Sequence, residues 1–283
     1  MNKISSQELK KIQLDMLAFI DQTCRQEQIN YSLGGGSLLG AVRHGGFIPW
    51  DDDIDLVLPR ADYERLLERF MQELPDEYGL IYYKSRPTYL PFAKLYDKRT
   101  YFTSKLDNLN RGTGVFIDLF PMDVLPGDAT ERAKFKKEVA KAAIDLTSSN
   151  PTGLDYASAT KPIYFIGKVL LWGPRHLKNK GKARYCAEKV DLLMQSYREK
   201  DTPYVGYAYS GYSGECFDKA IFEAYEDVAF EELTVRKLVN HDSYLKALYG
   251  DYMTLPPEDE RVNHSYYQWF WKDDEASEHI KKA

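Results

Sequence analysis

Cysteine is scarce in this chain, and its spacing does not form pairs. Cys24, Cys186 and Cys216 are three among 283 residues, with no Cys-x-x-Cys. An odd, dispersed set argues against a disulfide framework or a zinc ribbon and fits a reducing compartment. Long apolar runs are lacking too. No stretch approaches the roughly 18 consecutive apolar residues of a membrane span. The opening MNKISSQELKKIQLDM has no apolar core of a secretory signal. Positive charge is not in excess: 38 Lys and Arg against 43 Asp and Glu give a net charge of −5, which excludes nucleic-acid binding by bulk electrostatics. The expected setting is the cytoplasm. There are no internal repeats. No Gly-Lys-Ser/Thr follows the glycine cluster, so there is no P-loop, and Leu39 stands where a dinucleotide fingerprint needs its third glycine.

What is present is an ordinary globular composition, 43% hydrophobic and 29% charged, with an unusual 22 tyrosines. The length suits one domain with a large insertion, or two small ones. Leu9, Ile12, Met16, Phe19, Ile20 and Cys24 fall at helical spacing and predict a helix over 6–28. SLLGAVRHG predicts a short helix with Ser37 near its N-cap and Gly45 past its end. DIDLVLP alternates and stops at Pro59 as a buried strand does. Tyr63, Leu66, Leu67, Phe70, Met71 and Leu74 repeat at three and four, as an amphipathic helix does. Strands are expected near 80–84, 92–96 and 114–120, then helices from Asp128 to about Lys200 and another over Asp242–Gly250. The fold class is α+β: a mixed sheet flanked by helices in residues 1–125 and a mainly helical region in 126–283.

The chemistry concentrates in GGGSLLGAVRHGGFIPWDDDIDLVL. Glycines opening a helix offer unpaired N–H groups to an anion, although a tight turn for close packing needs them equally. Asp53 and Asp55 flank Ile54 at the mouth of an apolar strand, where alternation points both carboxylates one way. Like charges so close need a cation, and a hard divalent ion with oxygen ligands suits them: magnesium, with manganese as the alternative. An EF-hand is excluded, since its sixth position is Leu56 and its twelfth Asp62. Asp118, in VFIDLF, is an acid in an apolar strand, which either pairs with a base in the core or faces the metal.

A glycine turn, an acid-x-acid strand and a third acid on a later strand form the pattern of a nucleotidyltransferase-type fold. The wording of the glycine–aspartate segment strongly resembles the LicD family of bacterial phosphocholine transferases, with the fukutin-type phosphoribitol transferases as more distant members. YLKALYGDYMTLPP (residues 244–257) resembles that family as well, and ECFDKAIF (residues 215–222) less sharply. The resemblance runs from about Gln7 to Pro257 and is weakest over 125–200. It implies transfer of phosphocholine from CDP-choline to a hydroxyl of a cell-surface glycan precursor, such as teichoic acid or lipopolysaccharide, with release of CMP. In that reading Asp53 and Asp55 hold the metal, and Asp118 is a third metal ligand, the acceptor of the incoming hydroxyl's proton, or both. Gly35, Gly36 and Ser37 cradle the diphosphate, and Arg43 and Lys94 neutralise phosphate charge or are ordinary surface cations. Other donors remain open: ribitol, ethanolamine or glycerol in place of choline. Three other activities also remain: a cytidylyltransferase releasing pyrophosphate, a sugar-nucleotide glycosyltransferase, or a non-catalytic binding module.

Two further features fit a choline donor acting at a lipid-linked acceptor. A trimethylammonium group is held by aromatic faces. Tyr204, Tyr207, Tyr209 and Tyr212, or Tyr249 and Tyr252, could supply them, with Tyr209 and Tyr249 the leading candidates; otherwise they pack a core edge. Residues 161–185 begin apolar and turn basic, carrying seven Lys and Arg to Arg184 without one acid. That asymmetry suits peripheral contact with an anionic membrane face, the alternative being a buried helix followed by a solvated basic loop.

Overall fold

The computed structural model describes residues 2–104, 109–110, 112–151, 153–159, 161–212, 214–258, 261 and 266–272. Helix α1 (Ser6–Gln26) starts on a capping box, in which Ser5 Oγ accepts from the Glu8 amide and the Glu8 carboxylate accepts from Ser5 N at 2.9 Å. It buries Ile12, Met16, Leu17 and Ile20 in the main core. The next elements are β1 (Ser32–Leu33), α2 (Gly35–His44), β2 (Asp55–Pro59), α3 (Arg60–Gln72), β3 (Tyr78–Ile81), β4 (Ala93–Asp97), β5 (Thr100–Ser104) and β6 (Phe116–Val124). The rest are α4 (Ala129–Thr147), α5 (Pro162–Asn179), α6 (Ala183–Met194), β7 (Tyr204–Gly206), β8 (Phe217–Asp218), β9 (Tyr225–Phe230), β10 (Leu233–Leu238), α7 (His241–Tyr249) and β11 (Tyr267–Trp271).

The fold is α+β, built on a mixed sheet ordered β1-β2-β6-β4-β3, with β7 added to β6 and β8 to β7. Only the β2–β6 pair is parallel among the described ladders of this sheet. Helix α3 returns the chain after β2, its inner face made by Tyr63, Leu66, Leu67 and Phe70; Met71, apolar and in the same period, points outward. A second core lies between the sheet and helices α4 and α6, where Met122, Phe135, Val139, Leu146, Val190 and Met194 meet. Arg60 pins the two cores together, with Nη2 2.6 Å from Asp123 on β6 and Nη1 2.8 Å from Asp191 on α6.

The helical stretch runs from α4 to α6, and the chain then returns to short strands that the residue pattern did not announce. Strands β9 and β10 form a hairpin, and β11 pairs with β5. The hairpin turn carries no Gly or Asn; Glu231 adopts φ 51° there. Its amide donates to Gly45 O at 2.8 Å and its carboxylate accepts from Phe47 N at 3.0 Å. Tertiary contacts, not local turn chemistry, hold that conformation.

Candidate active site

Helix α2 begins at Gly35, with Gly34 as N-cap, so Ser37 lies inside the first turn and does not cap it. The Ser37 hydroxyl instead accepts from the Asp55 amide at 2.9 Å and fastens the start of β2 to the helix. Gly34 N donates to Asp55 O at 2.8 Å, reinforcing the same junction. Acids crowd the glycines: a Cβ on Gly36 would lie 2.6 Å from Asp51 Oδ2, and one on Gly35 would lie 3.1 Å from Asp55 Oδ2. Gly35 also has φ +47°, in the left-handed region that favours glycine.

Strand β2 starts at Asp55, so Asp51, Asp52 and Asp53 belong to the turn before it; Asp53 reaches the site from that turn, not by strand alternation. Asp55 and Asp118 are register partners across the parallel β2–β6 pair, and Lys94 is the partner of Asp118 across β6–β4. One transverse row across three strands therefore reads acid, acid, lysine. Lys94 Nζ lies 2.8 Å from Asp118 Oδ1, and its ammonium sits 3.4 Å from the centre of the Phe116 ring. Of the two readings left open for Asp118, the core base is thus present, and the acid still borders a cavity with Asp53.

Burial, followed by the negative charges of Asp53, Asp118 and Asp51, pushes the Asp55 carboxyl well above the ordinary range, with Lys94 pulling the other way. Among the described residues, no three acidic, histidine or cysteine side chains already converge as a ready-made metal cluster. The donor set is nevertheless one of hard oxygens carrying more negative charge than Lys94 offsets. A divalent cation would relieve that imbalance, so the residues fit magnesium.

Two residues further along the strands, the same face turns apolar. Val57 pairs with Phe120, and the Phe92 and Phe120 rings are 4.6 Å apart. This row lines a cavity of about 330 Å³ whose rim includes Gly35, Asp55, Tyr209 and Tyr249. The Tyr207 and Tyr212 side chains join it; Tyr204 and Tyr252 do not. On the other side of the acid row lies a small polar cavity lined by Asp53, Lys94 and Asp118. It shares Asp52, Tyr267 and Trp269 with a larger one reaching Trp50.

Arg43 is not brought to the glycine turn. It sits eight residues along α2, about 12 Å by helical rise, and donates through Nη1 to Tyr252 O at 2.6 Å. Residues not singled out from sequence are Phe92, Phe120, Tyr244 and Glu215. Phe120 had a readable signal, since it lies two residues from Asp118 on one strand face. Tyr244, in the segment 244–257 cited above, accepts from the Gly35 amide at 3.2 Å, which only folding discloses.

Residues 28–145 match the family described as LicD/FKTN/FKRP, nucleotidyltransferase domain. The lipopolysaccharide cholinephosphotransferase LicD of Haemophilus influenzae is 29% identical over 279 residues, covering 93% of this chain and 97% of that protein. Residues 28–145 thus carry a LicD-type domain, and the chain is similar to LicD along nearly its whole length. The ribitol 5-phosphate transferase FKRP of Homo sapiens is 43% identical over 60 residues, which are 20% of this chain and 12% of FKRP. The matched LicD domain contains the α2 glycines, Asp53, Asp55, Lys94 and Asp118; the tyrosine-bearing walls of the large cavity lie beyond it.

Proposed function

We propose that this phosphotransferase moves phosphocholine from CDP-choline to a hydroxyl of a glycan precursor and releases CMP. The observation that carries the reading is the adjacency of three features: a glycine-opened helix, an acid row on β2 and β6, and an aromatic cavity starting at Asp55. The likeness to a cholinephosphotransferase over nearly the whole chain supports choline. The shorter likeness to a ribitol 5-phosphate transferase, over 60 residues, supports only the shared transfer chemistry.

Asp53 and Asp55, with Asp118 beside them, would hold magnesium, which when bound supplies positive charge to the diphosphate oxygens. The amides of Gly36 and Ser37 at the start of α2 receive the diphosphate, helped by the helix dipole. The acceptor oxygen attacks the phosphorus that carries choline, the phosphoanhydride P–O bond to CMP breaks, and the acceptor's proton passes to Asp118. Lys94, 2.8 Å away, holds the Asp118 carboxylate in place for that transfer. The donor headgroup lies in the aromatic cavity, and the acceptor enters from the opposite side of the acid row, past Trp50 and Trp269.

Contact with a lipid-linked acceptor is part of this proposal. No helix among the described residues is long and apolar enough to cross a membrane. Helix α5 instead lies on the surface, with Leu170, Leu171 and Leu177 exposed by 71, 75 and 80%. Lys161, Lys178, Lys180 and Arg184 flank it and are partly or fully exposed, while Arg175 leans 3.5 Å from Asp145. An apolar helix face edged by cations suits the interface of an anionic leaflet.

Product analysis tests the transfer. Protein, magnesium, CDP-choline and a lipid-linked glycan fraction should yield CMP in step with choline incorporated into glycan. Pyrophosphate released from CTP and phosphocholine would instead make the chain a cytidylyltransferase.

A further inference from the structure

One charged group in the large cavity has no part in the chemistry above. Glu215 is only 9% exposed and lines the aromatic cavity with Tyr207, Tyr209 and Tyr249. Its backbone is fixed from both sides: its amide donates to Tyr212 O at 3.2 Å, and its carbonyl accepts from Lys136 Nζ at 2.9 Å. Lys136 donates to the carbonyl and its charge also reaches the carboxylate, but among the described residues no lysine or arginine forms a salt bridge with the Glu215 carboxylate. Among the described residues, a side-chain hydrogen bond to that carboxylate comes from Ser210. Its negative charge is felt by Tyr244 and Tyr249, whose hydroxyls are pushed up first by burial and then in part by Glu215.

A buried carboxylate outside any ion pair is costly, and the polar side chains lining the cavity with it are hydroxyls and the acid Asp55. Ring faces are themselves negative. Phe92, Phe120 and Tyr207 pack at a tilt with centroid distances of 4.6 and 5.0 Å, and Tyr209 stands 6.0 Å from Tyr207. An acid and several ring faces around one space make a region of negative potential. The group complementary to it is a cation that needs no hydrogen bond.

We propose that Glu215, with the rings around it, is the counter-ion of a quaternary ammonium headgroup and selects such a donor over neutral polyol donors. This deepens the donor reading above and rests on it. The headgroup's charge offsets the carboxylate, its methyl groups lie on the ring faces, and the diphosphate extends past Asp55 to the α2 glycines at the cavity's other end. A neutral polyol would fill the space and leave the carboxylate without its counter-charge. Glu215 is a positioning residue in this account, set apart from the acid row.

The test is calorimetric titration, with magnesium, of CMP, CDP-choline, CDP-ribitol and the neutral carbon isostere CDP-3,3-dimethylbutanol. Each is titrated into wild type and Glu215→Gln. Wild type is expected to bind CDP-choline roughly tenfold or more tightly than the isostere. Glu215→Gln is expected to lose most of that preference while binding CMP unchanged. If wild type binds CMP and both conjugates but does not separate choline from the isostere, the assignment is wrong and the donor reading stands. A full preference retained in Glu215→Gln has the same meaning. If wild type binds neither CMP nor any conjugate, the donor reading falls and takes this assignment with it. The wild-type comparison needs no variant, so misfolding of Glu215→Gln would not shield the proposal.

Discussion

Asp55 and Asp118 face each other in register across the parallel pair β2–β6, and Lys94 stands next in the same row. The row places a positive charge beside one acid and leaves the other among negative neighbours. The two acids should therefore answer mutation in opposite ways.

Lys94→Met removes the partner of a buried carboxylate and should destabilise the fold by about 3–5 kcal/mol. The double variant Lys94→Met/Asp118→Asn removes both charges and should recover more than half of that loss. Urea unfolding of the four proteins in the cycle checks this; a double variant no more stable than Lys94→Met would contradict it.

Asp55→Asn should raise thermal stability slightly, by up to about 1 kcal/mol, because it removes a carboxylate that burial and its neighbours already disfavour. Transfer activity should fall by roughly a hundredfold or more, as for loss of a metal-holding or charge-stabilising group. A melt combined with the CMP-release assay reads both changes. Lost activity together with lost stability would mark Asp55 as merely structural.

Arg60 is the bolt between the two cores. Asp123→Ala leaves its guanidinium half-paired in a buried position and should cost about 3–5 kcal/mol. Well below its melting temperature the variant should keep normal CMP release. Denaturant melts and activity at low temperature separate the two effects.

Helix α5 should bind vesicles containing anionic lipid. Changing Lys178, Lys180 and Arg184 to Ser should weaken co-sedimentation and flatten its salt dependence. Leu170→Ser/Leu171→Ser should weaken it at every salt concentration. Equal sedimentation of all forms would remove the membrane contact.

Much of this was legible from residues because local pattern and tertiary environment agree. The three-and-four spacing of Leu9 to Ile20 and of Tyr63 to Phe70 marks α1 and α3, and apolar strands around Asp55 and Asp118 mark the centre of the sheet. Tyr209 and Tyr249 line the large cavity with Asp55. The misreadings have physical causes. Ser37 looks like a cap, but its hydroxyl serves the neighbouring strand, and Gly34 takes the cap position. The β9–β10 hairpin lacks turn residues because contacts from Gly45 and Phe47 hold Glu231 in its unusual conformation. Nothing in the sequence neighbours of Glu215 shows that it faces a cavity built by β2, β6 and α7. Arg43 is basic and near the glycines in sequence, but a helix carries it to the far end.

The most direct measurement is titration of CDP-choline into the protein with and without magnesium, repeated for Asp53→Ala. The account predicts binding that depends on magnesium and disappears in the variant. Equal binding without the metal, or binding unchanged in Asp53→Ala, would contradict it.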